Sequence, residues 1–237
     1  MNIAHHVASL TSIPFLTPPT GGETVVLTEH QRVELLRIGL RVRLPARMTI
    51  YRAGSRAQWV FAVAEGVVKS YRDLRNGKRD IAAFLFPRDL IGLSEKGHYV
   101  NTVQAVTPVT LYRFPLDDLT ALLKRDGEMQ FVFLVKVTDA LRRSQRRTIL
   151  VNRRDAVGRV AMFLMFIMNN LGRGGTDAHR VPLPMTRSDI AGFAGLTLES
   201  VSRASAELER RGLVKFEGRQ SARILDLPRL VRLATAV

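Results

Sequence analysis

The hydrophobic grammar of the chain changes near residue 115, and that change limits the architectures open to it. Between about 40 and 115, short runs of β-formers are punctuated by glycine: RMTIYRAG, WVFAVAEGVVKSYRD, NGKRDIAAFLFPRDLIG and NTVQAVTPVTLYRF. No long helical pattern separates them, so a small antiparallel roll or barrel is expected. Asn76-Gly77 falls between SYRDL and KRDIAAFL. Both residues tolerate positive φ, which predicts a hairpin at that point. Upstream, LTEHQRVELLRIG (27–39) reads as a helix capped by Thr28, with Val33, Leu35, Leu36 and Ile38 supplying apolar faces. Residues 1–27, which include IPFLTPPTGGE, read as an irregular arm.

After 115 the period is helical. PLDDLTALLKRDGEMQFVFLVKVTDALRRSQRRTILVN breaks near Gly127. Beyond it Leu134, Thr138, Leu141, Gln145, Thr148 and Asn152 recur at alternating steps of four and three. That is the seam spacing of a helix pair, and its polar members can fix register. The competing reading is a long amphipathic helix packed only on its own domain. Arg142, Arg143, Arg146 and Arg147 lie off the seam and are expected to form a solvated basic face. In RRDAVGRVAMFLMFIMNN (153–170), Met162, Met165 and Met168 are expected to fill core gaps. The loop LGRGGTDAHR follows.

The most specific spacing lies at 187–208, RSDIAGFAGLTLESVSRASAEL. Thr186 can cap a first helix, with Asp189 completing an acidic variant of the capping box. Ile190 and Ala194 face inward, and the small Ala191 admits a second helix closely. Gly195 relieves the turn, Leu196 plugs it, and Thr197 caps the helix 197–211, whose Val201, Ala204 and Leu208 form its buried underside. This is the grammar of a helix-turn-helix. GLVKFEGRQSARILDL supplies two strands around Glu217-Gly218, a wing, and LPRLVRLATAV a last helix. A helix end in the major groove aims its first turns at base edges. Arg203 can donate to guanine O6 and N7, Glu199 can accept from a base amino group, and Ser202 can meet a thymine methyl. Thr186, Arg187, Thr197, Lys215, Arg219 and Arg223 are candidate phosphate contacts. The plain alternative for Glu199 and Arg203 is an exposed i,i+4 ion pair.

Composition supports a polyanion partner. The chain has 36 Lys+Arg against 21 Asp+Glu, a net charge of +15, which attracts nucleic acid or an anionic membrane surface. It contains no cysteine, excluding disulfides, thiolate zinc and cysteine-bound iron–sulfur clusters. The strongest apolar run, AMFLMFIM (161–168), is far short of the roughly 20 residues needed to cross a bilayer. A cytoplasmic protein without a membrane partner is expected. No Walker loop, HExxH, GxSxG or paired-carboxylate constellation is present, so no enzyme is expected and no metal site is assigned.

At this point the chain, over roughly 28–235, resembles the CRP/FNR family of bacterial transcription regulators. MTRSDIAGFAGLTLESVSR (185–203) is similar to its DNA-binding signature, and Gly54, Gly66, Gly77 and Gly92 match its cyclic-nucleotide-binding-like roll. The arm (1–27) lies outside the resemblance; beyond it an α+β chain is implied, with a β-roll sensor domain (28–127), a dimerisation helix (128–152) and a winged helix-turn-helix (153–237). Glu199, Ser202 and Arg203 look like the FNR/FixK branch, implying a palindromic site with TTGAT-type half-sites. In the catabolite-activator branch another arginine precedes the glutamate, where this chain has Leu198. A homodimer, contact with RNA polymerase, and activation or repression of transcription are implied with it.

Two departures limit the transfer. Without cysteine there is no cluster-based oxygen sensing. The phosphate-cassette stretch IGLSEKGHYVNTVQ has Leu93 after Gly92, and no arginine lies between Arg88 and Arg113. A cyclic phosphodiester such as cAMP would lack its bidentate cation there and bind poorly. The expectation is a non-cAMP effector or constitutive activity. The alternative is a sensor of haem, through His98, His5 or His6, or of a small aromatic ligand lined by Phe84, Phe86, Tyr99 and Leu141.

Overall fold

The computed structural model describes residues 27–75, 77–94, 97–153, 155–171 and 179–235. The expected arm, with His5 and His6, and most of the glycine-rich loop lie outside them. A first helix, α1 (Glu29–Ile38), begins in a full capping box: Thr28 Oγ1 accepts from the Gln31 amide, and the Gln31 side chain accepts from the Thr28 amide.

Eight strands follow: β1 (Leu40–Leu44), β2 (Thr49–Tyr51), β3 (Trp59–Glu65), β4 (Val68–Asp73), β5 (Arg79–Leu85), β6 (Leu90–Ile91), β7 (Thr102–Ala105) and β8 (Val109–Pro115). They form two four-stranded sheets, in the orders β1-β8-β3-β6 and β2-β7-β4-β5. In β3, Val60, Ala62 and Val63 are fully buried and Phe61 nearly so. A strand covered on both faces has no polar alternation to show, which is why this segment reads as a continuous apolar run. The helix-facing side joins Leu35, Tyr112 and Phe114 in one core.

The hairpin expected at Asn76-Gly77 joins β4 to β5, but the connection is longer than a two-residue turn. It closes through Leu74 N–H to the Lys78 carbonyl at 2.7 Å and Gly77 N–H to the Leu74 carbonyl at 3.0 Å. Asn76 itself lies outside the described residues.

Helices α2 (Leu116–Arg125) and α3 (Gly127–Asn152) are separated at Asp126. That carboxylate accepts from the Met129 amide at 2.8 Å and from Gln31 Nε2 at 3.0 Å. The Met129 amide, with help from Gln31, holds the Asp126 carboxyl below its ordinary range. The break therefore sits one residue before Gly127, which opens the new helix. With 26 residues, α3 is about 39 Å long.

Helix α4 (Ala156–Leu171) buries Val160, Ala161, Phe163, Leu164 and Ile167. Its three methionines, expected to fill the core, are only half-buried at its margin. The remaining elements are β9 (Arg180–Pro182), α5 (Arg187–Ala194), α6 (Leu198–Arg210), β10 (Val214–Glu217), β11 (Ser221–Ile224) and α7 (Leu227–Thr235). The wing has three strands in the order β10-β11-β9. Its third member, RVP, is too short to signal itself, and Pro182 is tolerated because β9 is an edge. The described chain divides into two compact units, one holding residues up to 70 with 84–142, the other 71–83 with 143–237.

Candidate nucleic-acid interface

The helix-turn-helix is set by its caps. Thr186 Oγ1 accepts from the Asp189 amide at 3.0 Å, and Asp189 accepts from the Thr186 amide at 3.2 Å. Gly195 ends α5 in the left-handed region, at φ +63°, where a Cβ is strained. Thr197 Oγ1 then accepts from the Ser200 amide at 3.1 Å and starts α6. Ile190, Ala191, Ala194, Val201, Ala204 and Leu208 are all buried, as the spacing predicts.

A helix also leaves its last carbonyls without partners. At the end of α5 the following donors meet them. Ala191 O accepts from Leu196 N–H at 2.9 Å. Arg147 Nε donates to Phe193 O at 3.2 Å, and its Nη2 reaches Gly192 O at 3.5 Å. Arg159 Nη1 donates to Ala194 O at 3.1 Å and Gly195 O at 3.0 Å. Two cations at a helix C-terminus also oppose its negative dipole end. The structure corrects the placing of Arg147 on a solvated basic face. It is half-buried, reaches the Asp80 carboxylate, and lies over the Phe193 ring at 5.6 Å. One arginine beside three others on a helix carries no sign of such an assignment.

The underside of α6 is buried, so its opposite edge faces solvent. Glu199, Ser202 and Arg203 are all exposed. The helix-end amide at Glu199 and the Thr197 hydroxyl, together with Arg203 and Lys78, hold the Glu199 carboxyl below its ordinary range. It is an acceptor at neutral pH. Ser202 Oγ donates to Leu198 O at 3.0 Å, so what it offers outward is its lone pairs and its small size.

The expected phosphate contacts separate into two groups. Lys215 and Arg219 are exposed on the wing, and Thr186 and Thr197 are exposed at the two helix starts. Arg187 is instead built into the domain: it donates to Ser205 Oγ at 2.6 Å and lies over the Phe216 ring at 4.6 Å. Burial lowers its pKa. Arg223 is paired with Glu217 at 2.9 Å.

The seam positions Leu134, Thr138, Leu141, Gln145 and Thr148 are exposed along α3. Phe131, Val137 and Ile149, which the seam spacing does not include, are exposed on the same helix. In the roll, Phe84 and Phe86 are buried, and Tyr99 stacks on Tyr51 with centroids 3.7 Å apart. The Tyr99 hydroxyl donates to Trp59 O at 2.8 Å. Leu141, expected with these residues as a lining position, is exposed on α3 at 58 %. Among the described residues, no group of His, Asp or Glu is arranged to hold a metal ion.

Comparison with known proteins bears on this geometry. A Crp-like helix-turn-helix domain matches residues 158–233, and a cyclic nucleotide-binding domain matches 41–126. The nitrogen fixation regulation protein FixK of Bradyrhizobium diazoefficiens is 32% identical over 213 residues, which cover 86% of this chain and 85% of that protein. The chain belongs to the CRP/FNR family of transcription regulators. The transcriptional activatory protein AadR of Rhodopseudomonas palustris is 30% identical over 208 residues, covering 88% of this chain and 86% of that protein. Among solved structures, FixK2 from Bradyrhizobium japonicum superposes with a TM-score of 0.75 at 28% identity, covering 84% of this chain and 99% of that one. The roll, the long helix and the C-terminal helix-turn-helix are the family architecture, and the last implies DNA binding. No helix among the described residues is long and apolar enough to cross a membrane.

Proposed function

We propose that the protein is a homodimeric regulator that reads a palindromic, TTGAT-type DNA site with α6. The observation that carries this is the reading edge itself: Glu199, Ser202 and Arg203 exposed on a helix whose other side is buried and whose start is capped. Arg203 takes guanine O6 and N7, Glu199 accepts from a base amino group, and Ser202 sits against a thymine methyl. Lys215 and Arg219 of the wing, with Thr186 and Thr197 at the helix starts, position the duplex through its phosphates. The exposed apolar positions of α3 support pairing with a second copy, which presents two reading edges to adjacent turns of duplex. The bound dimer acts through RNA polymerase.

Regulation, in this reading, does not come from a cyclic nucleotide, because no arginine lies between Arg88 and Arg113 to hold its phosphate. The roll answers to another small molecule or the protein is constitutively active. Haem, through His98, is tested by Soret absorbance, and a small organic effector by a rise in melting temperature. The deciding experiment for the main reading is fluorescence anisotropy with an inverted TTGAT repeat against a shuffled duplex of equal length. Tighter binding to the repeat is expected. Equal affinity for both refutes the reading.

A further inference from the structure

The tip of the β4–β5 hairpin, residues 71–83, belongs to the same compact unit as the helix-turn-helix. Gly192 makes the approach possible. A Cβ there would lie 2.6 Å from the Arg79 carbonyl oxygen and 3.1 Å from Ile81 Cγ1, so the start of β5 rests on α5 with no side chain between. Arg147 ties the two together, donating to the Asp80 carboxylate and to the carbonyl of Phe193.

The charges on the hairpin are sorted by these contacts. Arg79 pairs with Asp73 at 2.8 Å and lies over the Tyr71 ring at 3.8 Å. Asp80 is paired with Arg147. Both hairpin carboxylates therefore have arginine partners, while Arg72, Arg75 and Lys78 are exposed around the tip. Lys78 directly precedes the residue that rests on α5. Its charge acts on the Glu199 carboxyl, in support of the Glu199 amide, the Thr197 hydroxyl and Arg203.

We propose that the hairpin tip, through Lys78 and Arg75, is a third phosphate-binding element of the DNA interface, beside the helix-turn-helix and the wing. It takes backbone phosphates on the groove wall nearest the start of α6. The inference rests on the reading edge of α6 described above. A major groove is roughly 12 Å wide, so a duplex whose base edges meet Glu199 brings wall phosphates close to the hairpin seated on α5, the helix that leads through Gly195 into α6. Cations of this kind add affinity and salt dependence without sequence information.

The test uses the full-length protein, with anisotropy on the TTGAT repeat and on the shuffled duplex over a series of salt concentrations. The Arg75→Ala/Lys78→Ala double variant is expected to lower the slope of log K against log salt by about one for each phosphate it no longer neutralises, and to weaken both duplexes by the same factor. Gly192→Ala removes no charge. By lifting the hairpin from α5 it is expected to lower the slope in the same direction. Asp80→Asn loosens the Arg147 tie without altering α5, and serves in its place if melting curves show that Gly192→Ala unfolds the domain. Asp80→Asn also removes a negative charge, which by itself raises the slope, so a slope below wild type reports the displaced hairpin. A wild-type slope in the double variant overturns the proposal. That includes the case in which only transcription with purified polymerase falls, a result that assigns the tip to an acidic protein surface. Absence of a preference for the repeat is a separate result: it refutes the reading of α6, while the slope on the shuffled duplex still decides the hairpin.

Discussion

In the proposed interface, base reading rests on single side chains, and Arg203 is the clearest case. It is exposed one helical turn beyond Glu199, on a helix whose underside holds Val201, Ala204 and Leu208 in the core. Arg203→Ala is expected to remove discrimination at the guanine of the half-site, at a cost of roughly 1–3 kcal/mol on the specific duplex and little on a shuffled one. Equal losses on both would make Arg203 a phosphate contact. The residue scale also holds the clearest difference between expectation and structure. An arginine in a helical pattern defaults to the surface, so the sequence offers Arg187 as a phosphate contact and places Arg147 on a solvated basic face. Both are partners for other groups, the Ser205 hydroxyl and the Phe216 ring for one, helix carbonyls and Asp80 for the other.

Among the elements, α6 has well-secured ends. Thr197 starts it, and at its other end Glu207 accepts from Arg210 and from Arg211, each at 2.7 Å. These two arginines hold the Glu207 carboxyl at about 2, against an ordinary value of 4.5. Its folded-state pKa is depressed, so the stabilising contribution is complete above the unfolded value and is lost as pH falls from about 4.5 to about 2. Glu207→Gln is therefore expected to lower the melting temperature slightly at neutral pH, with the gap from wild type closing in that acid window. A gap unchanged between about pH 7 and about pH 3 would show that the pairing carries no proton linkage. Both arginines are exposed and solvent screens the pairing, so the effect is small. The elements are legible in sequence wherever a cap or a period is strong: Thr28, Thr186, Thr197, the change of period near 115. β9 is not, because three residues ending in proline carry no pattern of their own.

At the scale of the whole molecule, the proposed dimer depends on α3. Leu134 and Leu141 are each 58 % exposed, as is expected of a seam seen without its partner. Leu141→Glu is expected to place like charges at the centre of that seam and convert dimers to monomers in light scattering. An unchanged mass would dismiss the seam. The net charge of +15 belongs to this scale too, since it draws the molecule toward any polyanion whatever the sequence read. The order of roll, long helix and helix-turn-helix is written in the chain itself, and so is the setting of Glu199, Ser202 and Arg203 on the exposed edge of α6 opposite its buried underside. Local signals of caps, glycine turns and repeating apolar positions act over a few residues and can be read in one dimension. That residues 71–83 join the C-terminal unit, that Gly192 opens the space for Arg79, and that Arg147 caps α5 are products of the folded chain alone. Those contacts join positions tens of residues apart, and nothing local distinguishes a glycine or an arginine that a distant backbone will need.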